Sequence, residues 1–372
     1  MSKQLLKTSL AFVLILFFAT LSFAQTLPQP TLTAQVSGTT QLLIAVSPVN
    51  ERVVWASGTG GTFVVTTDGG NTWTSGVVPG AENLQFRDVQ GVSAKVAYLM
   101  SIGDNTTDFR IYKTVDGGAT WNIQFTNELT NAFYDCFAFW TPQRGIAHSD
   151  SVNGVFPAIR TTNGKTWESI ANNMPPALPG EASFSSSGTC ITTQGTENAW
   201  ITTGGASVSR ILATTDGGNT WNAYDTPLIS SPSAGGLSVA FRDASNGIVG
   251  GGDLANNNNV DVATSNDGGQ TWTLTNKPPV KGAIFCLAYV RGIHHPNDPP
   301  SRANFDHYVV ITAERGPDFD KGVVAWTPDE GTTWYRLQRA NGNWGVAFAN
   351  PQAGWLVGNN GQILKISFPP IK

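Results

Sequence analysis

The residues best suited to chemistry lie in one insertion, residues 291–307. It holds three of the four histidines of the chain together with two aspartates: His294, His295, Asp298, Asp306 and His307. Imidazole and carboxylate groups together suit a transition metal such as zinc. Their spacing is irregular for a metal site, and an exposed loop stiffened by proline explains the same residues. We therefore expect a surface loop here, with a zinc site as the alternative.

A second polar segment, residues 251–261, offers oxygen ligands. It carries two aspartates and several asparagines, whose side chains suit calcium. The segment lacks the regular ligand spacing and the closing Glu of an EF-hand. A flexible, Asn-rich turn is the favoured interpretation, with calcium as the alternative.

The common motifs of covalent and redox catalysis are missing from the sequence. It contains no Gly-x-Ser-x-Gly elbow, no His-Glu-x-x-His, no Cys-x-x-Cys and no glycine-rich phosphate loop between a strand and a helix. We expect no catalytic residues and no cofactor.

One sequence motif, Ser/Thr-x-Asp-x-Gly-x-Thr-Trp, recurs six times along the chain. A repeat of this kind determines the fold, and the fold positions the polar segments described above. In the third copy, which begins at Thr162 and is one residue shorter, Asn replaces Asp. The Asp suits hydrogen bonding within a turn, the Gly permits positive φ, and the Trp begins a strand and packs on neighbouring sheet. We expect these residues to be structural: Asp68 and Trp73, Asp116 and Trp121, Asn163 and Trp167, Asp216 and Trp221, Asp267 and Trp272, Asp329 and Trp334.

The period of this phrase predicts the architecture. Successive Trp residues lie 48, 46, 54, 51 and 62 residues apart, which suits one four-stranded propeller blade per repeat. A second phrase, a strand preceding each box, occurs seven times, and its last copy at 354–358 has no box after it. That final blade would have three strands, so residues 32–37 are expected to supply the fourth. The sequence predicts an all-β, seven-bladed β-propeller in one domain, residues 25–372, closed by an N-terminal strand.

Composition agrees with this class. Charged residues make up 13% of the chain against about 25% in ordinary soluble domains, which leaves few for exposed helix faces, and aromatic residues make up 10%. Such a chain is neither a helical bundle nor disordered.

Residues 1–24 have the pattern of a secretory signal peptide. Lys3 and Lys7 precede an apolar run from Leu10 to Leu21, and small residues follow up to Ala24. We expect a secreted or periplasmic protein that does not span the membrane after cleavage, and a monomer. Without Lys3 and Lys7, 20 basic residues face 26 acidic ones, net −6, and no basic tract indicates nucleic acid.

The three cysteines and two of the tryptophans are expected to lie on or beside the innermost strands, near the axis of the ring. Aligned on the innermost strands, Cys136, Cys190 and Cys286 occupy one equivalent position. We expect buried free thiols, because innermost strands of neighbouring blades are splayed, and leave a Cys136–Cys190 disulfide as the alternative. Trp140 and Trp344 are expected to pack in the core, with a binding face near the axis as the alternative.

The repeated phrase resembles the Asp-box, or BNR repeat, of sialidase-like propellers. The fuller repeat, Gly-Val-Ala-Phe348 followed by Gly354-Trp355 and Gly358-x-x-Gly361, is similar to the photosystem II stability and assembly factor family, and the resemblance covers the whole mature chain. It implies a non-enzymatic propeller that helps membrane protein complexes assemble on the lumenal or periplasmic side. A protein partner, such as a membrane complex, is therefore expected.

The alternative is a carbohydrate-active propeller, either a lectin or a sialidase-like glycoside hydrolase that acts on glycans. Sialidases resemble this chain in their boxes but use an arginine cluster, a Tyr–Glu nucleophile pair and an Asp acid. The string Phe109-Arg110-Ile111-Tyr112 lacks the Pro of their Arg-Ile-Pro motif, so Arg110 is interpreted as an ordinary strand residue. Sialidases are also six-bladed, which favours the non-catalytic interpretation.

Overall fold

The computed structural model describes residue 27 and residues 29–290, 305–314 and 322–370. In this part of the chain, 28 β-strands form seven antiparallel sheets of four strands each. Each sheet is one blade. The predicted seven-bladed β-propeller is confirmed.

The strands follow the chain in order around the ring. Blade 1 contains β2 (Leu43–Pro48), β3 (Val54–Gly58), β4 (Thr62–Thr66) and β5 (Thr74–Val77). Blade 2 contains β6 (Gln85–Gly91), β7 (Ala97–Ile102), β8 (Arg110–Thr114) and β9 (Asn122–Thr126). Blade 3 contains β10 (Tyr134–Thr141), β11 (Arg144–Ser149), β12 (Ala158–Thr161) and β13 (Glu168–Ser169). Blade 4 contains β14 (Ile191–Gln194), β15 (Asn198–Thr202), β16 (Arg210–Thr214) and β17 (Asn222–Asp225).

The remaining blades repeat this pattern. Blade 5 contains β18 (Ala234–Phe241), β19 (Gly247–Asp253), β20 (Val260–Ser265) and β21 (Thr273–Leu274). Blade 6 contains β22 (Ala283–Tyr289), β23 (Val309–Glu314), β24 (Val323–Thr327) and β25 (Tyr335–Asn341). Blade 7 contains β26 (Asn343–Asn350), β27 (Ala353–Gly358), β28 (Gln362–Ser367) and β1 (Thr31–Val36).

Ring closure joins the two ends of the chain in blade 7. Strand β1 pairs antiparallel with β28, from Thr31 opposite Ser367 to Val36 opposite Gln362. The N-terminal strand therefore supplies the fourth strand of the last blade, as the missing seventh box predicts. This pairing covers the edge that β28 would otherwise expose.

Helix is a minor component of the described residues. It is limited there to short 3₁₀ turns, among them Thr106–Asp108, Ala171–Asn173 and Asn359–Gly361. None of the helices in that part of the chain is long and apolar enough to cross a bilayer.

Hydrophobic residues fill the spaces between blades. The second strand of a blade is covered on both faces, so β3, β7 and β27 are buried along their whole length. Trp200 of blade 4 stacks on Phe241 of blade 5 with ring centroids 3.6 Å apart. Such aromatic contacts between sheets help to hold neighbouring blades together.

The two faces of the ring differ in the turns that form them. In blade 1 the inner strand β2 begins at Leu43, opposite Gly58, and ends at Pro48, opposite Val54. The repeated box phrase follows the third strand at the end where the inner strand finishes. We call this end of the ring the box face and the opposite end, where the inner strands begin, the mouth face.

One residue per blade contributes to a ring around the channel, immediately after a bulge or irregular step in most of the inner strands. This waist ring consists of Ala45, Asp88, Cys136, Cys190, Ser238, Cys286 and Gly345. Several of its members accept a hydrogen bond from the next blade. Asp88 Oδ2 accepts from the Phe137 amide at 2.9 Å, and Ser238 Oγ accepts from the Leu287 amide at 2.9 Å.

The cysteines partly overturn the sequence-based expectation. Cys136 and Cys190 form a disulfide between blades 3 and 4, with Cα atoms 6.0 Å apart, so the prediction of free thiols was wrong for this pair. At the waist, the inner strands of these two blades lie within the separation of about 7 Å that a disulfide requires. Cys286 is a buried free thiol, as predicted.

Candidate functional site

The acidic residues of the box phrase bind the backbone of their own turn. Asp68 Oδ1 accepts hydrogen bonds from Thr66 Oγ1 at 2.8 Å and from the Thr72 amide at 2.9 Å, and Oδ2 accepts from Thr72 Oγ1 at 2.6 Å. Hydrogen bonds from the hydroxyl and amide of that threonine lower the pKa of Asp68 to about 2. The equivalent aspartates accept from the amide four residues later at similar distances: Asp116, Asp216, Asp267 and Asp329. These carboxylates therefore stabilise their own turns through hydrogen bonds, which agrees with a structural role.

The shortened third box begins one residue earlier than the sequence comparison places it. Thr161, not Thr162, donates its hydroxyl to Asn163 Oδ1, at 3.4 Å. The Thr166 amide donates to the same Oδ1 at 3.0 Å. The missing residue therefore lies between Asn163 and Thr166, inside the turn.

The box tryptophans pack at the outer part of the blades. Trp121 meets Trp55 and Phe63 of blade 1 edge-on, with centroids 6.1 and 5.2 Å apart. Trp221 and Trp272 are buried, whereas the others are half-buried: Trp73, Trp121, Trp167 and Trp334. Their rings pack beside the sheets, away from the channel cavities described below.

The proposed zinc ligands are only partly within the described residues. His294, His295 and Asp298 lie outside them. Asp306 and His307 form the turn before β23 on the box face, and His307 Nδ1 lies 2.9 Å from Glu330 Oε2. Among the described residues, no three His, Cys, Asp or Glu side chains gather as a metal site. The zinc hypothesis remains a prediction.

The Asn-rich segment 251–261 forms the end of β19, a turn and the start of β20. Asp253 Oδ1 accepts from Ser233 Oγ at 2.8 Å and from the Ala255 amide at 2.9 Å. Asp261 Oδ2 accepts from the Ile229 amide at 2.7 Å. Each carboxylate thus has protein donors, and calcium binding stays a prediction.

A cluster around Glu330 was not found from the sequence. Glu330 Oε1 accepts from Tyr289 Oη at 2.7 Å and from Arg242 Nε at 2.9 Å. Burial raises the pKa of Glu330, but donors from His307, Tyr289 and Arg242 outweigh it and leave that pKa below its ordinary value. Burial, followed by the Glu330 charge, holds the pKa of Tyr289 well above its ordinary value. Arg242 follows β18 of blade 5, whereas Tyr289 and Glu330 belong to blade 6, so the contact between Arg242 and Glu330 joins the two blades.

Glu330 occupies a position that glycine holds in other boxes. Its φ is 51°, in the left-handed region, where Gly69, Gly117, Gly217 and Gly268 have φ of 69–81°. An l-residue with a side chain pays about 1–2 kcal/mol for this conformation. The hydrogen bonds of the carboxylate to blades 5 and 6 offset that strain.

We expect Glu330→Gly to destabilise the protein by about 1–2 kcal/mol, because the loss of hydrogen bonds to Arg242 and Tyr289 exceeds the relief of backbone strain. Chemical denaturation measures this change. Glu330→Gln is the matched control, since it keeps the side chain and the strain but removes the charge. A Gly variant more stable than wild type would show that strain dominates.

The mouth face contains a cavity of about 470 Å³ at the end of the channel. Its walls combine aromatic rings, three ionisable groups, small apolar residues and serines: Arg87, Phe133, Asp135, Asp150, Ala182, Ser183, Phe184, Ser185, Ser186, Pro232, Leu237, Leu254, Phe285 and Trp344. A concave, mainly apolar pocket with a few convergent polar groups is typical of binding sites, whose volumes run from about 300 to 1,000 Å³. We call it the mouth cavity.

One loop, residues 176–187, forms a wall of the mouth cavity and is held by a buried ion pair. Glu181 is fully buried, and its Oε1 atom accepts hydrogen bonds from Arg210 Nε at 2.9 Å and from Thr203 Oγ1 at 2.7 Å. A second guanidinium contact, from Arg210 Nη2, makes the pair bidentate. This mouth loop places Phe184 and Ser185 at the cavity.

Two carboxyl groups meet inside the mouth cavity. Asp135 of β10 is 1% exposed, and its carboxyl hydrogen-bonds that of Asp150, which follows β11. Burial and then the neighbouring charge of Asp150 raise the pKa of Asp135 well above its ordinary value. Burial raises the pKa of Asp150 to about 6, against the lowering effect of a hydrogen bond from the Ser183 amide at 2.8 Å. Burial and mutual repulsion thus favour the protonated form of both carboxyls relative to an exposed aspartate.

Arg87 completes the charged part of the mouth cavity. Its guanidinium carbon lies 5.6 Å from the ring centroid of Trp344, and Nη1 donates to the Ser185 carbonyl at 3.2 Å. Burial lowers the pKa of Arg87 to about 10, with the charge of Asp135 opposing that shift. Arg87 thus stays cationic at neutral pH.

We expect Asp135→Asn to flatten the dependence of stability on pH. Because both carboxyls have a higher pKa in the folded chain than in the unfolded chain, the free energy of unfolding falls as pH rises from about 4 through about 6. Asn mimics the protonated acid, so the variant should match wild type near pH 4 and exceed it at pH 7.5 by on the order of 1–3 kcal/mol. Denaturant titrations at the two pH values measure this. Asp104→Asn, an exposed change on the same face, should leave the slope unchanged.

The opposite end of the channel has its own cavity of about 440 Å³. Trp140, Tyr289, Phe348 and Arg242 line it, and Trp140 Nε1 donates to the Asn198 carbonyl at 2.7 Å. Trp140 and Trp344 are 8% and 6% exposed, so both pack in the core as predicted. Each also lines a cavity at one end of the channel, so a tryptophan can pack in the core and still contribute to a binding face.

The sequence does carry one signal for the mouth cavity. Asp135 interrupts an inner strand that is mostly apolar and mostly buried, Tyr134–Thr141, and an acidic residue there needs a partner. The partner, Asp150, and the cation, Arg87, come from other strands and depend on the ring geometry.

Comparisons with known proteins support the fold. No protein-family model and no curated protein sequence matches the chain. Among solved structures, YCF48 bound to D1 peptide has a TM-score of 0.61 at 16% identity, over 91% of this chain and 97% of that one. YCF48 from Cyanidioschyzon merolae has a TM-score of 0.62 at 16% identity, over 90% and 98%.

A glycoside hydrolase also has this fold. The GH74 enzyme of Niastella koreensis has a TM-score of 0.57 at 16% identity, over 90% of this chain, which spans about half, 53%, of that enzyme. The two YCF48 structures and the GH74 enzyme thus share the propeller fold of this chain. At this identity, the likeness to all three structures describes architecture alone.

Proposed function

We propose that this chain is an exported, non-catalytic propeller that binds a protein partner and acts as a scaffold or assembly factor for an envelope or membrane complex. The observation that carries the proposal is the mouth cavity, with aromatic walls and three ionisable side chains. A cavity of this kind at the end of a propeller channel suits a protruding segment of another protein.

The fold comparison supports a protein partner over other ligand classes. YCF48, with the same architecture, is seen bound to a D1 peptide. Here the partner is proposed to be a protein of the envelope or membrane, without a named client.

Glycan hydrolysis finds little support at the mouth cavity. Hydrolases of this type hold two carboxyl groups about 5 to 10 Å apart, on either side of the scissile bond. Asp135 and Asp150 instead hydrogen-bond each other, which leaves no room for a sugar between them. The carbohydrate alternative therefore rests on the fold likeness to the GH74 enzyme.

Site-specific photo-crosslinking in the native host tests the proposal. A photo-reactive residue at position 185, in the mouth loop, is compared with one at Val115, which is 58% exposed in a box turn on the other face. We expect one protein to be captured reproducibly from position 185 and not from 115. Equal capture from both, or retention of glycans with no protein captured, would contradict binding at the mouth.

The export step is tested separately. We expect the protein recovered from the envelope fraction to begin at Gln25, because Ala24 ends the signal-like segment. Intact mass spectrometry decides this directly. A cytoplasmic protein that retains residues 1–24 would contradict export and leave partner binding open.

A further inference from the structure

The carboxyl pair in the mouth cavity has unused binding capacity. Asp135 is only 1% exposed, and no donor among the described residues forms a hydrogen bond with its Oδ2 atom. Its carboxyl faces Asp150, another hydrogen-bond acceptor once ionised. A buried carboxylate oxygen without a donor is costly, so a group that brings positive charge and N–H donors would be stabilised there.

The charges of the mouth cavity leave one place for a cation. The titratable side chains that line it are Arg87 from β6, Asp135 from β10 and Asp150 after β11. With both carboxyls ionised, one positive charge faces two negative charges. A second cation in the cavity would balance them.

Arg87 does not fill that place itself. Its guanidinium is directed to the Trp344 ring and the Ser185 carbonyl. The Ser183 amide donates to Asp150 Oδ1, and the carboxyl of Asp135 contacts the backbone and the carboxyl of Asp150.

The walls beside the pair suit an alkyl chain. Phe133 and Phe184 are half-buried, and Phe285 lies deeper, all lining the same cavity. Aromatic faces attract both methylene groups and cations. A long side chain with a terminal cation matches this arrangement of apolar walls and acidic floor.

We propose that the mouth cavity binds a lysine side chain of the partner protein, with its ammonium group between Asp135 and Asp150 and its methylene chain against the aromatic walls. With Arg87, the ammonium gives two positive charges beside the two carboxylates, so the charges in the cavity are balanced. This inference rests on the proposed function, because it names the chemistry by which the partner is recognised.

Calorimetry with three blocked tripeptides, acetyl-Gly-X-Gly-amide, tests the proposal on the full chain. The central residue is Lys, norleucine or Glu, so that the first pair differs only in the ammonium group. We expect Lys to bind at least about tenfold more tightly than norleucine, and Glu not to bind. Titrations in two buffers of different ionisation enthalpy should show a proton released with the Lys peptide at pH 6.

Three variants separate recognition from folding. Asp135→Asn and Asp150→Asn should each reduce the preference for Lys to about twofold or less, whereas Asp104→Asn, which makes the same change of net charge on this face, should keep it. Circular dichroism verifies that each variant is folded. If one Asn variant does not fold, the other decides.

Several results would overturn the lysine proposal. Equal binding of Lys and norleucine, a preference for Glu, or a preference that persists in both Asn variants would each do so. Loss of Lys binding on addition of millimolar calcium, with calcium bound in its place, would assign the pair to a metal. Capture of a partner at position 185 by a protein that binds none of the tripeptides would reject the lysine site and leave the proposed function standing.

Discussion

Replacing Glu181 with Gln is expected to lower the free energy of unfolding by about 3–5 kcal/mol. Glu181 is fully buried, and Arg210 is only 10% exposed at its side chain. Gln keeps the volume but leaves the guanidinium without its counter-charge in a site that excludes water. Desolvation of that unpaired cation is the main cost.

The same substitution should loosen the mouth. The Glu181 carboxylate also accepts from Thr203 Oγ1 and from the Leu178 amide, so it ties the mouth loop to blade 4. We therefore expect faster amide exchange across residues 178–185 in Glu181→Gln.

An exposed ion pair provides the matched control. Arg144 and Glu197 are separated by 3.2 Å with Glu197 48% exposed, so Glu197→Gln should cost less than about 1 kcal/mol. Denaturant titration compares the two variants. Equal effects would mean that burial does not determine the contribution of these pairs.

Removing the disulfide is expected to have the second large effect. Cys136 and Cys190 enclose a loop of 54 residues, and closing a loop of that length stabilises the folded chain by about 4 kcal/mol relative to the open unfolded chain. The double variant Cys136→Ser and Cys190→Ser should lose about this amount. The loop includes all of blade 3 after its inner strand begins, so blades 3 and 4 should show the largest increase in amide exchange.

Reductant separates this effect from changes in packing. Wild type should lose stability in dithiothreitol, whereas the double variant should be insensitive to it. Cys286→Ser alters a buried waist residue without opening a disulfide, so it should retain the wild-type response to reductant. A wild-type protein unaffected by dithiothreitol, after mass spectrometry confirms that the thiols are free, would contradict the prediction.

The parts of the structure predicted from sequence are those that repeat. Asp68 and its equivalents recur with a period of one blade. The last copy of the second phrase, at 354–358, has no box after it, and this predicts the contribution of β1 to blade 7. Turn types and strand periodicity depend on short segments of sequence, so they can be predicted without knowledge of the fold.

The mouth cavity could not be predicted in this way. Arg87, Asp135 and Trp344 come from blades 2, 3 and 7, and only ring closure brings them to the same opening. The disulfide was missed for a related reason: the separation of the inner strands at the waist depends on how the blades pack, which no local pattern reports. Glu330 is a different case. It stands where other boxes have glycine, and its side chain contacts Tyr289 and Arg242, which lie 41 and 88 residues away in the sequence.

The closing pair of strands also determines how the ring responds to force. Thr31 at the start of β1 lies opposite Ser367 at the end of β28, so tension applied to the two ends of the chain acts first on that one residue pair. The strands would then peel apart one hydrogen-bonded step at a time, instead of sharing the load along their length as sheared strands do. Blade 7 is therefore the mechanical weak point of the propeller, and a pull on the chain termini would open the ring there while the other six sheets remain intact.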